Sequence, residues 1–404
     1  MEYSELSNKL RKKINKEDKK KEGIFFTPPI TIINTLKLLE PYFKNIKTVL
    51  EPSCGSCEYI YALNRCFNNL DITGVEHNNI IFESIKDLDF DNVNLINNDY
   101  LKLFPNNDKK YDLIIGNPPY FVVKKQDVLP EYYDFFDGRP NIFILFIIKS
   151  LRLLSANGIL SFILPNNFLN CLYYNKTREY ISKNFKILNI EYCNDNYIDT
   201  KQNTIVMIIQ NNKNNKSNKH FVLEINNYTV FGCKNTVSKL NALYKNSTTL
   251  SQLGFSVNVG SIVWNQCKDI LTQDSSKTLL IYSSDIKSNE LVIKKYSNIE
   301  KKNYINKPGK KEPTLLINRG YGVGKYNFDY LLVEGDVEYL VENHLITVKL
   351  NDTESYSKDE LIQKYNNIIM SLKNDKTKKF IEMYFGNNAI NTSELSHILP
   401  IYNV

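Results

Sequence analysis

Between about residue 46 and residue 210, short apolar runs alternate with stretches of helical periodicity, and this pattern limits the fold more than any other feature. The runs are IKTVLEP (46–52), LDITGVE (70–76), NVNLINND (92–99), YDLIIGN (111–117), GILSFILP (158–165), KILNIEYC (186–193) and NTIVMIIQ (203–210). Helical segments are expected around 57–69, 141–156 and 175–185. Val/Ile/Leu runs without polar interruption are those of strands buried on both faces, so an α/β domain with a Rossmann-like, mostly parallel sheet is predicted.

The polar stretch NNKNNKSNK (211–219) reads as a linker or exposed turn, and beyond about residue 236 the alternation fades. Strand-like pieces (TLLIYSSDI, PTLLINRGY, YLLVEGD, HLITVKL) precede one helical stretch, SKDELIQKYNNIIMSLK (357–373). A second, β-rich α+β domain is therefore expected over 236–404, after a first domain over 22–235 and a basic tail over 1–21. The Lys-rich run from Lys9 to Lys21 reads as a solvated tail, with a DNA-contacting arm as the alternative.

No run of about 18 apolar residues is present, so no membrane association is expected. The most apolar stretch, Ile142 to Leu154, is interrupted by Lys149 and Arg152 and reads as a buried helix. The seven cysteines are an odd number without a secretion signal, which points to reduced thiols and a cytoplasmic setting, bacterial or, for a viral protein, that of the host. A net charge of +7 is compatible with an anionic partner.

Ligands of open α/β sheets bind beyond the carboxyl ends of the strands, so the residues there carry the functional reading. The first strand ends in Glu51-Pro52 and runs into Ser53-Cys54-Gly55-Ser56-Cys57. The second ends in Glu76, near the spacing at which an acid meets a ribose diol. The third ends in Asp99-Tyr100, and the fourth in Asn117-Pro118-Pro119-Tyr120. There is no G-x-G-x-x-G, and acid stands where a pyrophosphate would need bare amides, so an adenosine with a free ribose fits better than a dinucleotide.

The tetrapeptide is the most specific signal. Two prolines stiffen the backbone and remove amide donors, leaving the Asn117 side-chain oxygen and the Pro118 carbonyl as fixed acceptors. A planar exocyclic amine donating both hydrogens to them has its lone pair freed for attack, while Tyr120 supplies a stacking face.

IIGNPPYF resembles the catalytic loop of S-adenosylmethionine-dependent amino methyltransferases, above all the DNA adenine-N6 methyltransferases. EGIFFTPPITIINTL (22–36) is similar to that family's cofactor motif, and its place ahead of VLEPSCGS resembles the gamma-type order. The resemblance covers about residues 22–210 and implies S-adenosylmethionine as cofactor. It implies Thr27 at the methionine end, Gly55 at the close backbone approach, Glu51 near the amino group and Glu76 on the ribose. Asp99 and Tyr100 would take the adenine. Asn117, Pro118 and Tyr120 would be catalytic, with Tyr197, or Tyr192 behind it, as a second stacking aromatic.

The pair Cys54/Cys57 has no partner pair to complete a zinc site, and its Glu-Pro start does not suit a redox motif, so no metal is expected. Cys57 departs from the family's E-P-x-x-G-x-G, standing where a second glycine is usual. In that family the C-terminal domain reads DNA sequence. Here INRGYGVGKYNF (317–328) offers Arg319 and Lys325 to bases and phosphates, with an edge hairpin as the alternative. VNVGSIVWNQCKD (257–269) resembles the start of such recognition domains, and Trp264 in it is expected in the core.

The resemblance thus implies a site-specific methyltransferase acting on N6 of a flipped adenine in double-stranded DNA, with a separately encoded cognate endonuclease as a possible companion. The alternatives are the same loop acting on cytosine N4, an RNA base or a protein glutamine, or a DNA-binding protein whose cofactor site has decayed.

Overall fold

The computed structural model describes residues 3–67, 69–106, 109–193, 202–212, 216–319, 329–385 and 390–402. It divides into two units, Met1–Ser238 and Lys239–Val404.

The first unit is built on a seven-stranded sheet of β1 (Thr48–Glu51), β2 (Asp71–Glu76), β3 (Val93–Asn97), β4 (Tyr111–Gly116), β5 (Leu154–Pro165), β6 (Lys186–Tyr192) and β7 (Thr204–Gln210). Their order is β3-β2-β1-β4-β5-β7-β6. The first five run parallel, and β7 lies antiparallel between β5 and β6. Strand periodicity explains why the runs are apolar throughout. Leu50, Ile114, Leu160, Phe162 and Met207 face one core layer, while Val49, Leu113, Ile115, Ile163 and Val206 face the other. Each such fully buried aliphatic contributes about 1.5–3 kcal/mol.

Helices cover both faces, among them α3 (Pro29–Leu39), α4 (Glu58–Cys66), α5 (Asn79–Ile85), α6 (Ile142–Leu153) and α7 (Asn175–Asn184). Helix α6 passes into β5 with no intervening loop; β5 starts four residues before the expected strand and carries an irregularity against β4. Asn157, in the left-handed region at φ 61°, lies in that early stretch.

The basic N-terminus is not a solvated tail. It forms α1 (Glu5–Lys13) and α2 (Lys16–Glu22), capped by the side chains of Ser4 and Asn15 and ended by Gly23 at φ 65°. Leu10 and Ile14 pack with Phe26 and Ile81 in a separate apolar cluster. Lys19 is buried with its ammonium on the Arg11 carbonyl, 2.7 Å away. Spacing explains why the charge run misleads: Ser7, Leu10, Ile14 and Lys19 turn inward, and the remaining lysines stay in solvent.

The second unit holds two four-stranded sheets. One is antiparallel, in the order Phe255–Val259, Leu345–Leu350, Thr314–Asn318, Tyr330–Val333. The other runs Leu271–Thr272, Tyr304–Ile305, Thr278–Ile281, Tyr339–Val341, its last pair parallel. Helices Lys358–Lys373, Asp375–Tyr384 and Thr392–His397 complete it, the first entered through a capping box of Ser357 and Glu360. Trp264 packs partly buried beside Leu271, Leu280 and Ile305. Among the described residues no helix is long and apolar enough to cross a membrane.

Candidate active site

The sheet order reverses direction between β1 and β4, and the crevice that this opens is where the cavity lies. It measures about 380 Å³ and is lined by residues from all four predicted strand ends, including Pro52, Gly55, Glu76, Asp99, Tyr100 and Asn117. Residues Glu22 to Phe26 line it as well, along with Phe121 and Phe146.

Glu76 is gripped by its surroundings. Its Oε2 accepts from the Gly55 N–H at 2.9 Å and its Oε1 from the Asn78 N–H at 2.7 Å. Burial pushes its carboxyl up to about 7, offset in part by these amides. Gly55 has φ 53°, and a Cβ there would meet no atom within 4 Å, because it would project into open space. Glycine takes this backbone conformation without the penalty that a β-carbon brings, and it leaves the space beside the loop clear.

Asp99 caps the turn after β3, accepting from the Leu101 N–H at 3.0 Å. Tyr100 lines the cleft but sends its hydroxyl into the core, 2.8 Å from Ser150 Oγ, with its ring tilted on Phe146. Apolar aromatic lining comes also from Phe121 and Phe146, neither of which the sequence marked as a site residue. Helix α6 fixes this wall through Lys149, a buried ammonium that donates to the carbonyls of Leu101 (2.9 Å) and Leu103.

Glu51 is buried and is not among the lining residues. Its Oε2 has no hydrogen-bond partner among the described residues, and burial holds its carboxyl well above the usual range. A cationic group brought beside it would satisfy that oxygen.

Asn117, at the end of β4, is oriented from the N-terminal segment. Its Nδ2 donates to the Phe25 carbonyl at 3.3 Å and to Thr27 Oγ1 at 3.2 Å. Its Oδ1 lies 2.6 Å from the Tyr120 hydroxyl, which is also 2.8 Å from the Ile163 carbonyl. Thr27 is buried behind Asn117 and, like Pro118 and Tyr120, is not among the lining residues. Pro118 is buried, and the Tyr120 ring stands edge-on to Phe143. Tyr192 is 43% exposed at the end of β6. Tyr197 and Lys325 lie outside the described residues, and Arg319 follows the strand Thr314–Asn318 of the second unit. Glu22 was not foreseen: its carboxylate accepts from Asn78 Nδ2 at 2.8 Å at the same end of the cleft as Glu76.

These groups suit S-adenosylmethionine. The cleft offers carboxylates that could accept from ribose hydroxyls, aromatic walls against which a purine could lie and an open glycine, while the partnerless Glu51 carboxyl is buried outside its lining.

The model of the Eco57I restriction-modification methylase family matches residues 62–198, which hold β2 to β6 and the Asn117–Tyr120 loop. The chain is 28% identical over 418 residues to the modification methylase CviBIII of Paramecium bursaria Chlorella virus NC1A, covering 99% of each. It is 34% identical over 215 residues to the type II methyltransferase M.AccI of Acinetobacter calcoaceticus, covering 50% of this chain and 39% of that one. In fold it is similar to DrdV as seen in a cryo-EM structure of a DrdV–DNA complex (TM-score 0.54, 12% identity), over 98% of this chain and 57% of that chain. The sheet order and the chemistry of the cleft agree with these matches, and the chain is an S-adenosylmethionine-dependent methyltransferase related to the restriction–modification methylases.

Proposed function

We propose that this methyltransferase acts on double-stranded DNA and methylates N6 of an adenine turned out of the helix. The observation that carries the reading is the orientation of Asn117. With Nδ2 engaged by Phe25 and Thr27, the amide is fixed with its Oδ1, which accepts from the Tyr120 hydroxyl, as the atom assigned to the target amine.

When bound, S-adenosylmethionine supplies a methyl group on a positively charged sulfur, which leaves as a neutral thioether. The chain's part is positioning. Asn117 Oδ1 and the Pro118 carbonyl accept the two amine hydrogens, drawing the nitrogen out of conjugation with its ring. Tyr120 is assigned the face on which that ring rests. Thr27 and Phe25 keep Asn117 from rotating, and the prolines keep its backbone from yielding. The carboxylates of Glu76 and Asp99 hold the adenosine end of the cofactor. The proton lost from the amine passes to solvent after transfer.

The similarity to modification methylases over the whole chain supports DNA as the acceptor. It also supports a sequence-reading role for the second unit, with Arg319 and Lys325 as its proposed contacts. A separately encoded endonuclease and a cytoplasmic setting belong to the same proposal.

The test is single-molecule sequencing of DNA from cells making the chain, with Asn117→Ala as control. N6-methyladenine at one short motif, absent in the control, is the expected result. Methylation at cytosine N4 instead would overturn the adenine assignment.

A further inference from the structure

Cys57, which stands where the motif of the resembling family has its second glycine, lies in the left-handed region at φ 63° and ψ 26°. A β-carbon makes that conformation unfavourable unless the neighbours impose it. Its own side chain gives no help: it is the N-cap of α4 yet makes no capping hydrogen bond. Its thiol is buried against that of Cys54.

The Cys57 N–H closes a turn on the Cys54 carbonyl at 2.7 Å, and a second support comes from a distant part of the chain. The two neighbours of Cys57, Ser56 and Glu58, are both bound by α1. Ser7 Oγ lies 2.7 Å from Ser56 Oγ, with both residues almost wholly buried. The hydroxyls of Ser4 and Ser7 both donate to Glu58 Oε1. The protons balance: Ser56 donates to Ser7, Ser7 and Ser4 donate to the carboxylate, and Ser4 Oγ accepts from the Ser7 N–H. The same loop carries the Gly55 N–H that grips Glu76.

We infer that α1 is a brace for the cofactor loop, and that Ser4 and Ser7 are positioning residues which hold Cys57 left-handed and so keep Gly55 on Glu76. The inference rests on the reading of the cleft as the cofactor site. It accounts for the departure at Cys57 without a decayed site: conformational freedom lost with the glycine is replaced by an external clamp. A chain with glycine at this position would not need the clamp.

The experiment measures the dissociation constant of S-adenosylhomocysteine by calorimetry on the full chain. Four forms are compared: wild type, Ser4→Ala/Ser7→Ala, Cys57→Gly and the triple variant. Ser56→Ala, which leaves α1 intact, is measured alongside in case the double variant does not fold. Removing the clamp should weaken binding about tenfold, the scale of one or two buried hydrogen bonds, with kcat at saturating cofactor changed less than about threefold. Cys57→Gly should restore most of the affinity in the unclamped background. Unchanged affinity on removing the clamp, or an equal loss with Cys57 and with glycine, would overturn the inference while leaving the cofactor site standing. A wild-type chain that does not bind the probe would instead overturn the cofactor-site reading itself.

Discussion

Asn117 and Thr27 are 90 residues apart in the chain, yet the side-chain amide of the first donates to the hydroxyl of the second at 3.2 Å. The contact joins the loop after β4 to the segment ahead of β1, so catalytic geometry depends on a part of the chain that precedes the sheet.

Thr27→Val keeps the shape and removes this acceptor, while the longer bond to the Phe25 carbonyl stays. We expect kcat to fall about tenfold with little change in the KM for cofactor, the cost of one buried hydrogen bond realised at the reacting centre. Asn117→Ala should lose about 10²–10³-fold or more, as for removal of a main electrostatic contact. Steady-state kinetics on methylatable DNA checks both, and equal KM and kcat effects in Thr27→Val would count against this role.

The Tyr120 hydroxyl has one proton and, among the described residues, two acceptors, Asn117 Oδ1 and the Ile163 carbonyl. If Oδ1 must receive an amine hydrogen, the hydroxyl proton has to turn to Ile163. Tyr120→Phe removes this competition and keeps the ring, so its kcat should stay within about threefold of wild type. Tyr120→Ala should lose about tenfold or more, matching a stacking contribution of about 1–3 kcal/mol. A Phe variant as weak as the Ala variant would show that the hydroxyl is needed in the reaction.

Most of the sheet was legible because its strands are apolar on both faces, and such short runs, broken by polar turns, have few other uses than buried strands. All seven expected strands are present with ends shifted by a few residues. The strand-end acids and the Asn117 tetrapeptide could be read for the same reason: they are polar residues at the points where apolar runs stop. What could not be read depends on contacts distant in sequence. The lysine-rich N-terminus hides its inward stripe of Ser7, Leu10 and Ile14 among charges, and Glu22 shows its place only once Asn78 is beside it. Phe121 and Phe146 are, in sequence, two more members of an aromatic-rich chain.

Glu76 gives the site a pH dependence. Its folded-state pKa of about 7 lies above the ordinary 4.5, so the unliganded fold favours the protonated acid. Its contribution to stability is complete below pH 4.5 and is lost as pH rises through 7. Ribose hydroxyls donate best to the ionised carboxylate, so bound cofactor should draw this pKa down. Affinity for S-adenosylhomocysteine should therefore rise from pH 6 to 8 and level off above it, by up to about tenfold per unit below the pKa. Calorimetry across that range checks this, and Glu76→Gln should flatten the profile.

Two glycines at positive φ test whether catalytic and cofactor loops can be disturbed separately. At Gly23, φ 65°, an added Cβ would lie 2.7 Å from the backbone nitrogen of Tyr120, a contact that no side-chain movement relieves. Gly23→Ala must displace either the end of α2 or the Pro119–Tyr120 backbone. At Gly55, φ 53°, the same Cβ would meet nothing and would stand in the cleft. Both carry a left-handed penalty of about 1 kcal/mol, and Gly23→Ala adds the cost of the displaced backbone, so thermal stability should fall further for Gly23→Ala than for Gly55→Ala. The kinetic effects should differ. Gly23→Ala is expected to lower kcat by about tenfold or more with KM for cofactor nearly unchanged, because the fault lies in the loop that holds the target amine. Gly55→Ala is expected to raise KM for cofactor about tenfold and leave kcat largely intact, because the added methyl occupies space only the cofactor needs. Both variants shifting kcat and KM together would mean that the loops after β1 and β4 move as one body, and that α2 and the cleft wall cannot be treated as separate supports.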